Sequence, residues 1–258
     1  MTSYLIISMT AFLAAVLTFF SGFGLGTLLA PVMMLFFPAE VAIAMTGIVH
    51  LINNILKLFL TGKHANKSVV LTFGVPAIVA SFVGAWILLQ ISEMPVFFSY
   101  QIWGRDMNVY PVKFIIAILL MIFALIEIIP YFKKLQFSQK WMPFGGILSG
   151  FFGGLSGTQG ALRSAFLIRS GLSKAAFIGT TAFVSTMVDI TRLGVYSGGM
   201  IRHIEISNIY ILLAAVCSAA AGAVLGNQLL KKVTIDFVKN AVAILLLVIA
   251  FGLASGLL

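Results

Sequence analysis

Two interrupted stretches decide how this chain folds: Ser21-Gly22-Phe23-Gly24-Leu25-Gly26-Thr27, followed by Pro31, and Ser156-Gly157-Thr158-Gln159-Gly160-Ala161, followed by Arg163. Each lies inside an apolar segment, residues 4–36 and 142–172, that is too long for one straight crossing of a bilayer. A helix of about 33 residues is about 50 Å long, against a hydrocarbon core of about 30 Å. Glycines let the backbone turn at that depth and leave N–H groups facing open space. Non-helical backbone survives there only where protein buries it or water reaches it. Each segment therefore breaks, bends or turns back. The half-helix restarting at Thr27 or Ala161 then aims a positive dipole end at the gap. The plainer alternative is close helix packing through small residues. Recurrence of the break in both over-long segments favours the gap.

Composition sets the surroundings. The 258-residue chain is 61% hydrophobic and 9% charged, whereas a soluble domain carries charge on about a quarter of its residues. With a mean hydropathy of +1.12, it reads as an all-α polytopic membrane protein. A disulfide scaffold, a disordered regulator and a coiled coil are excluded. Further apolar segments at 41–60, 69–90, 112–130, 174–196, 206–230 and 235–257 supply spanning helices. The lone Cys217 can build neither a disulfide nor a cysteine metal site within one chain. The start, Met1-Thr2-Ser3-Tyr4-Leu5, lacks a basic n-region, so the first apolar segment is expected to be retained.

The two halves match at an offset of 135: Ser21-Gly22 with Ser156-Gly157, Thr46 with Thr181, Asn54 with Asp189, and Lys57 with Arg192. Gly84-Ala85 and Gln90 match Gly222-Ala223 and Gln228 at 138. Polar matches inside membrane segments point to duplication. Residues 1–130 form the first transmembrane repeat, 131–141 a basic cytoplasmic linker and 142–258 the second repeat. Each repeat is a glycine-broken helix segment, re-entrant or discontinuous, plus three spanning helices.

Loop charges choose the topology. Eight conventional spans divide the loop cations six against seven, which gives no orientation. If each broken segment returns to its own side, each half crosses three times and the second copy is inverted. Lys63, Lys67, Lys133, Lys134, Lys140, Arg169, Lys174, Lys231, Lys232 and Lys239 then share one side. Arg105, Lys113 and Arg202 face the other. Ten against three is the bias of a cytoplasmic face. The inverted repeat is preferred, with both termini on the outer, periplasmic side. The polar-aromatic connection 91–111 is expected as an interfacial loop or short surface helix.

The helices after the breaks carry polar groups that lipid does not tolerate. Thr46, His50, Asn53, Asn54 and Lys57 stand at i, i+4, i+7, i+8 and i+11, one helical face. Thr181, Ser185, Asp189 and Arg192 occupy the matching face of the other copy. Such residues usually face a cavity or each other. Lys57, Arg163 and Arg192 against Asp189 give 3 − 1 = +2, and His50 adds one if protonated. A cluster of that sign suits a small anion. Each member has a bland reading: Asn53 and Asn54 bond between helices, Lys57 and Arg192 snorkel to the interface, Asp189 and Arg192 pair structurally, and His50 packs. Arg163 opposes its half-helix dipole and needs a negative partner, a ligand or Asp189.

Other chemistry is not supported. His50, His64 and His203 form no metal-ligand spacing with cysteine or carboxylate. No P-loop, nucleophile elbow or Ser/Lys dyad stands out. No cofactor, metal, catalytic residue or nucleic-acid partner is expected, and the net charge of +9 is assigned to loops and to the anion cluster.

The duplicated glycine-rich stretch, with Gly22-Phe23-Gly24-Leu25-Gly26, Leu28 and Pro31 in the first copy and Gly179-Thr180-Thr181 in the second, resembles the TauE/SafE sulfite exporter family. That family is also described as the toluene-sulfonate uptake permease type. Gln159 and Ala161 replace glycines of the pattern, Phe166 replaces a proline, and Ala44-Met45-Thr46 replaces Gly-Thr-small. The resemblance implies an inner-membrane carrier, not an enzyme, exporting sulfite or a small organosulfonate such as sulfoacetate. Together with the residues themselves, it nominates Ser21, Gly22, Gly24, Gly26, Thr27, Ser156, Gly157, Thr158, Gln159 and Gly160 as a backbone cradle. Thr46, Asn53, Asn54 and Thr181 are nominated as donors, Lys57, Arg163 and Arg192 as cations, and His50 and Asp189 as proton-coupling candidates. Open alternatives are an uncoupled anion facilitator, an uptake permease for another small oxyanion, and a non-transporting receptor. Expected partners are the oxyanion, the bilayer and, as an open option, a second copy in a homodimer.

Overall fold

The computed structural model describes residues 2–21, 25–102, 104–129, 137–167, 170–199, 201, 204–229 and 235–257. It is helical throughout the apolar segments: α1 Thr2–Ser21, α2 Leu25–Met33, α3 Ala39–Thr61, α4 Lys67–Ser92, α5 Pro111–Ile128, α6 Met142–Ser156, α7 Gly160–Leu167, α8 Lys174–Tyr196, α9 Ile206–Leu229 and α10 Ile235–Ala254. Helix α3 with the turn after it, α4 and the Asn208–Gly226 part of α9 are long and apolar enough to cross a membrane. Shorter apolar stretches lie in α1, α5 and α10.

Local chemistry explains the helix ends. Pro111 and Pro143 open α5 and α6, where a missing N–H costs nothing. Asn66 caps α4 by accepting from Val69 N at 3.1 Å, and Ser173 caps α8 by accepting from Ala176 N at 3.3 Å. Helix α4 contains one π turn, Val70–Gly74, which ends two residues before Pro76, a residue with no N–H to donate one turn back.

The sequence Met142-Pro143-Phe144-Gly145-Gly146-Ile147-Leu148-Ser149-Gly150-Phe151-Phe152-Gly153-Gly154 carries two small-residue stripes, each with a period of four. Gly146, Gly150 and Gly154 lie against the carbonyls of Phe73, Ala77 and Ser81 on α4, so a Cβ at any of them would strike backbone. Gly145, Ser149 and Gly153 face α7. Phe166 covers Gly145, the Ser149 hydroxyl donates to Gln159 O at 3.4 Å, and Gln159 sits over Gly153. Phe166, near the end of α7, thus meets the start of α6, and the break turns the chain back toward its side of entry. In the first half α2 packs on α1 and leads to Phe36, Phe37 and Pro38 at the bundle end that also holds Ser92 and Asn208.

The principal helix contacts come in matched sets. Helix α6 packs on α4 as α1 packs on α9, where Gly222 meets the Phe12 carbonyl. Helix α8 also packs on α4 and α3 on α9, and α3 packs on α8 and α5 on α10.

Connection 91–111 differs from expectation. It contains an antiparallel hairpin, β1 Phe98–Ile102 with β2 Arg105–Val109, in place of a loop or surface helix. Its aromatic and β-branched residues suit strands, and Gly104 supplies the turn at φ +73°. The Tyr100 hydroxyl donates to the Ser255 carbonyl, fastening the hairpin to the end of α10.

Lysines gather at one end. Lys63, Lys67, Lys140 and Lys174 stand where α3 passes to α4 and where α6 and α8 begin, with Glu127 and Asp236 at the same end; Glu40, Glu93, Asp106 and Glu205 stand at the opposite end with Arg105 and Lys113. Lys133, Lys134, Arg169, Arg202, Lys231 and Lys232 lie outside the described residues, as do residues 131–136 of the linker and Trp103.

The glycine stripe makes a measurable contrast. Gly150→Ala should destabilise the folded protein by about 1–3 kcal/mol through overpacking against Ala77. Gly194→Ala, at an exposed helical position with open space around it, should be neutral or stabilising by up to about 1 kcal/mol. Thermal unfolding in detergent checks both, and equal shifts would contradict the packing described.

Candidate functional site

The breaks and the polar faces of α3 and α8 meet in the interior. Gly26, in the first turn of α2, lies so close to Gly157 that an added Cβ would stand 2.6 Å from the Gly157 carbonyl oxygen. Gly157 itself adopts φ +76°, closes α6 with an N–H bond to Gly153 O at 3.1 Å, and faces Arg192 Nη1. Any side chain at 157 would be strained by the left-handed backbone and would strike that guanidinium. Gly47 on α3 leaves the room that the same guanidinium fills from the other side.

Asp189 is the centre of the hydrogen bonding. Its Oδ2 lies 2.7 Å from His50 Nδ1 and accepts from Asn54 Nδ2 at 3.0 Å. Its Oδ1 accepts from Arg192 Nε at 3.0 Å and lies 2.8 Å from Nη2. Arg163 Nη1 donates to Ser185 Oγ at 2.5 Å, and Ser156 and Thr158 share a hydroxyl bond of 2.5 Å. Lys57 interacts electrostatically with Arg163 and Asp189. His50, Asn53, Asn54, Lys57, Gln159, Arg163, Asp189 and Arg192 are all at most 4% exposed. Snorkelling therefore does not describe Lys57 or Arg192, whereas the Asp189–Arg192 pair does form.

Several buried atoms have no hydrogen-bond partner: both amide atoms of Asn53, both of Gln159, Arg163 Nε and Arg192 Nη1. Leaving such groups unsatisfied in an apolar interior costs about 1–3 kcal/mol each, more when charged. Four of these atoms are donors, and three of the four belong to Gln159, Arg163 and Arg192, which are in or beside the second break. Arg163 stands one helical turn from Gln159, its N–H bonding Gln159 O at 3.1 Å. This is the donor set that a small multi-acceptor anion satisfies.

A family model described as sulfite exporter TauE/SafE matches residues 7–253 of the chain. The chain belongs to the TauE/SafE family. Family members are membrane transporters rather than enzymes, and the apolar helices and buried charge fit that class. No curated protein and no solved structure matches the chain.

Within this TauE/SafE chain the remaining sequence candidates fall in different places. Thr27 and Thr46 are buried, the latter donating to Met33 Sδ at 3.4 Å. Gly160 opens α7. Thr181 is half-buried and its hydroxyl donates to Ile178 O at 2.9 Å in its own helix; its neighbour Thr180 is buried and accepts from Asn66 N at 2.9 Å. Gly22 and Gly24 lie outside the described residues, and so does the side chain of Ser21. Sequence reasoning missed Gly47 and Tyr196, whose hydroxyl donates to the Gly154 carbonyl. The available signal was spacing: Tyr196 follows Arg192 by one turn and Gly47 precedes His50 by three residues.

Two open cavities among the described residues lie away from these groups. Volumes of about 630 and 520 Å³ occupy the acidic end, lined by Phe36, Phe37, Pro38 and Glu40 together with residues of α4. Val41, on the wall of the larger one, precedes His50 by nine residues, or ~13 Å along α3. None of the buried polar side chains named above lines either cavity.

Arg163→Ala should leave the protein folded and weaken sulfite binding at least about thirtyfold, ~2 kcal/mol for a lost charged donor. Titration of purified protein checks it; unchanged affinity would remove Arg163 from the site.

Proposed function

We propose that this chain is a secondary transporter that exports sulfite or a small organosulfonate such as sulfoacetate across the inner membrane by alternating access. The observation that carries the reading is the set of unpartnered buried donors, Arg163 Nε, Arg192 Nη1, Gln159 Nε2 and Asn53 Nδ2, with the first three in or beside the second break and the two breaks in contact. Sulfite and sulfonates present three oxygens in a pyramid or tetrahedron, so they accept from several directions at once. Desolvating such an anion is costly, and several donors must replace its water. The cluster's surplus of cations supplies the charge.

Two inverted halves, residues 1–130 and 142–258 joined by the linker 131–141, account for the reciprocal packing of α4 on α6 and α9 on α1. They also account for the turned-back second break. The lysine-rich end is assigned to the cytoplasm by the excess of cations there, which puts the hairpin and both termini outside. Burial supports alternating access: with the site residues at most 4% exposed, an ion held among them leaves only when the surrounding helices move. The same burial disfavours a permanently open facilitator.

Flux of sulfite and of sulfoacetate into proteoliposomes tests this reading. Saturable flux, with each anion inhibiting the other, is expected. Flux linear in concentration would indicate a pore, and no flux from folded protein would contradict the assignment.

A further inference from the structure

Asn54 and Asp189 hydrogen bond to each other across a sequence separation of 135. That number is also the offset that aligns Ser21-Gly22 with Ser156-Gly157. Equivalent positions of the two halves therefore touch, and the contact lies where α3 and α8, themselves counterparts, cross. The two positions are not chemically equal. One is an amide and the other a carboxylate, so the crossing carries one negative charge where two identical halves would carry two or none. His50 comes from α3 and Asp189 from α8, so their 2.7 Å contact is assembled between the halves. A bond of that kind is remade whenever the halves shift.

The charged and titratable groups around this contact are few. Helix α3 adds Lys57, α8 adds Arg192 and Tyr196, and α7 adds Arg163. Helix α9 contains no charged residue, and the only one in α4 is Lys67 in its first turn. Among the described residues Asp189 is the one buried carboxylate. It holds Arg192 through Oδ1 while His50 and Asn54 occupy Oδ2.

We infer that His50 and Asp189 form the site of a proton that binds together with the anion, which makes Arg192 available to the anion at the break. The inference rests on the reading that a sulfur oxyanion binds there. With His50 neutral, Nδ1–H donates to Asp189 and Nε2 is unprotonated. A proton delivered by hydronium joins Nε2 and leaves water; the 3.5 Å contact of Asn54 Nδ2 with Nε2 is given up, and Asn54 keeps its bond to Asp189 Oδ2. The imidazolium then supplies the charge that Asp189 must balance, so Arg192 becomes a surplus cation. Its Nη1 already faces Gly157 without a partner. An anion arriving at the break neutralises that surplus, and proton and anion enter the interior as a pair of opposite charges, which costs far less than either alone. By linkage, the anion raises proton affinity by the same factor as the proton raises anion affinity.

The test is the number of protons taken up per anion bound, from calorimetry in two buffers of different ionisation enthalpy. Sulfoacetate is the probe because its sulfonate and carboxylate are both ionised near neutrality, so every proton counted binds the protein. Wild-type protein should take up about one proton per anion and bind up to about a hundredfold more tightly at about pH 6 than at about pH 8, one decade per pH unit while the uptake stays near one. His50→Gln should reduce the uptake to zero and make affinity independent of pH; Asp189→Asn is the second variant if the first does not fold. A merely structural role would lower affinity at every pH and leave the proton count unchanged, which overturns the inference. Wild-type binding without proton uptake also overturns it but leaves the carrier standing. Folded protein that binds no sulfoacetate overturns both.

Discussion

One carboxylate buried among cations governs the interior of this protein. Asp189 accepts from His50 and Asn54 on α3 and from Arg192 on its own helix, and all four side chains are buried. Removing one partner of such a pair costs about 3–5 kcal/mol, because the other is left charged in a medium of low polarity. The pairing therefore fixes α3 against α8 and, through the Arg192 guanidinium, fixes α8 against the second glycine break. Around it the positive charges of Lys57, Arg163 and Arg192 exceed the negative one. An anion bound as proposed would offset that excess.

Close backbone approach is the means by which the breaks reach this point. Lipid offers helices no hydrophobic drive to associate, so association depends on packing. Glycines at every fourth residue of α6 bring α4 into backbone contact, and the offset stripe receives α7. Helix α6 therefore runs to Gly157, where the chain turns beside Gly26, and α7 returns along α6 until Phe166 covers Gly145. The non-helical backbone at the turn is enclosed by protein, as its depth in the membrane demands.

Much of this was legible in the sequence because membrane depth makes polar residues and broken helices expensive. The over-long segments, the face at 46, 50, 53, 54 and 57, and the offset pairing of Asn54 with Asp189 could all be read from spacing. What spacing could not supply was the third dimension. Lys57 and Arg192, near helix ends in the sequence, are buried because the bundle encloses them, and sequence position alone does not distinguish that from snorkelling. Thr180 and Thr181 are adjacent, and helix rotation decides which is buried. The hairpin at 98–109 escaped because its aromatic residues suit an interfacial loop as well as a strand. The glycines of α6 were visible as a small-residue run, but which stripe meets which partner depends on tertiary packing.

Binding of an oxyanion where the two breaks meet is tested most directly by a structure determined with sulfoacetate bound. The account predicts the sulfonate within about 3 Å of Arg163 Nε, Arg192 Nη1 and Gln159 Nε2, next to Gly26 and Gly157. A sulfonate seated only in the acidic-end vestibule, beside Lys113 and away from the breaks, would contradict it.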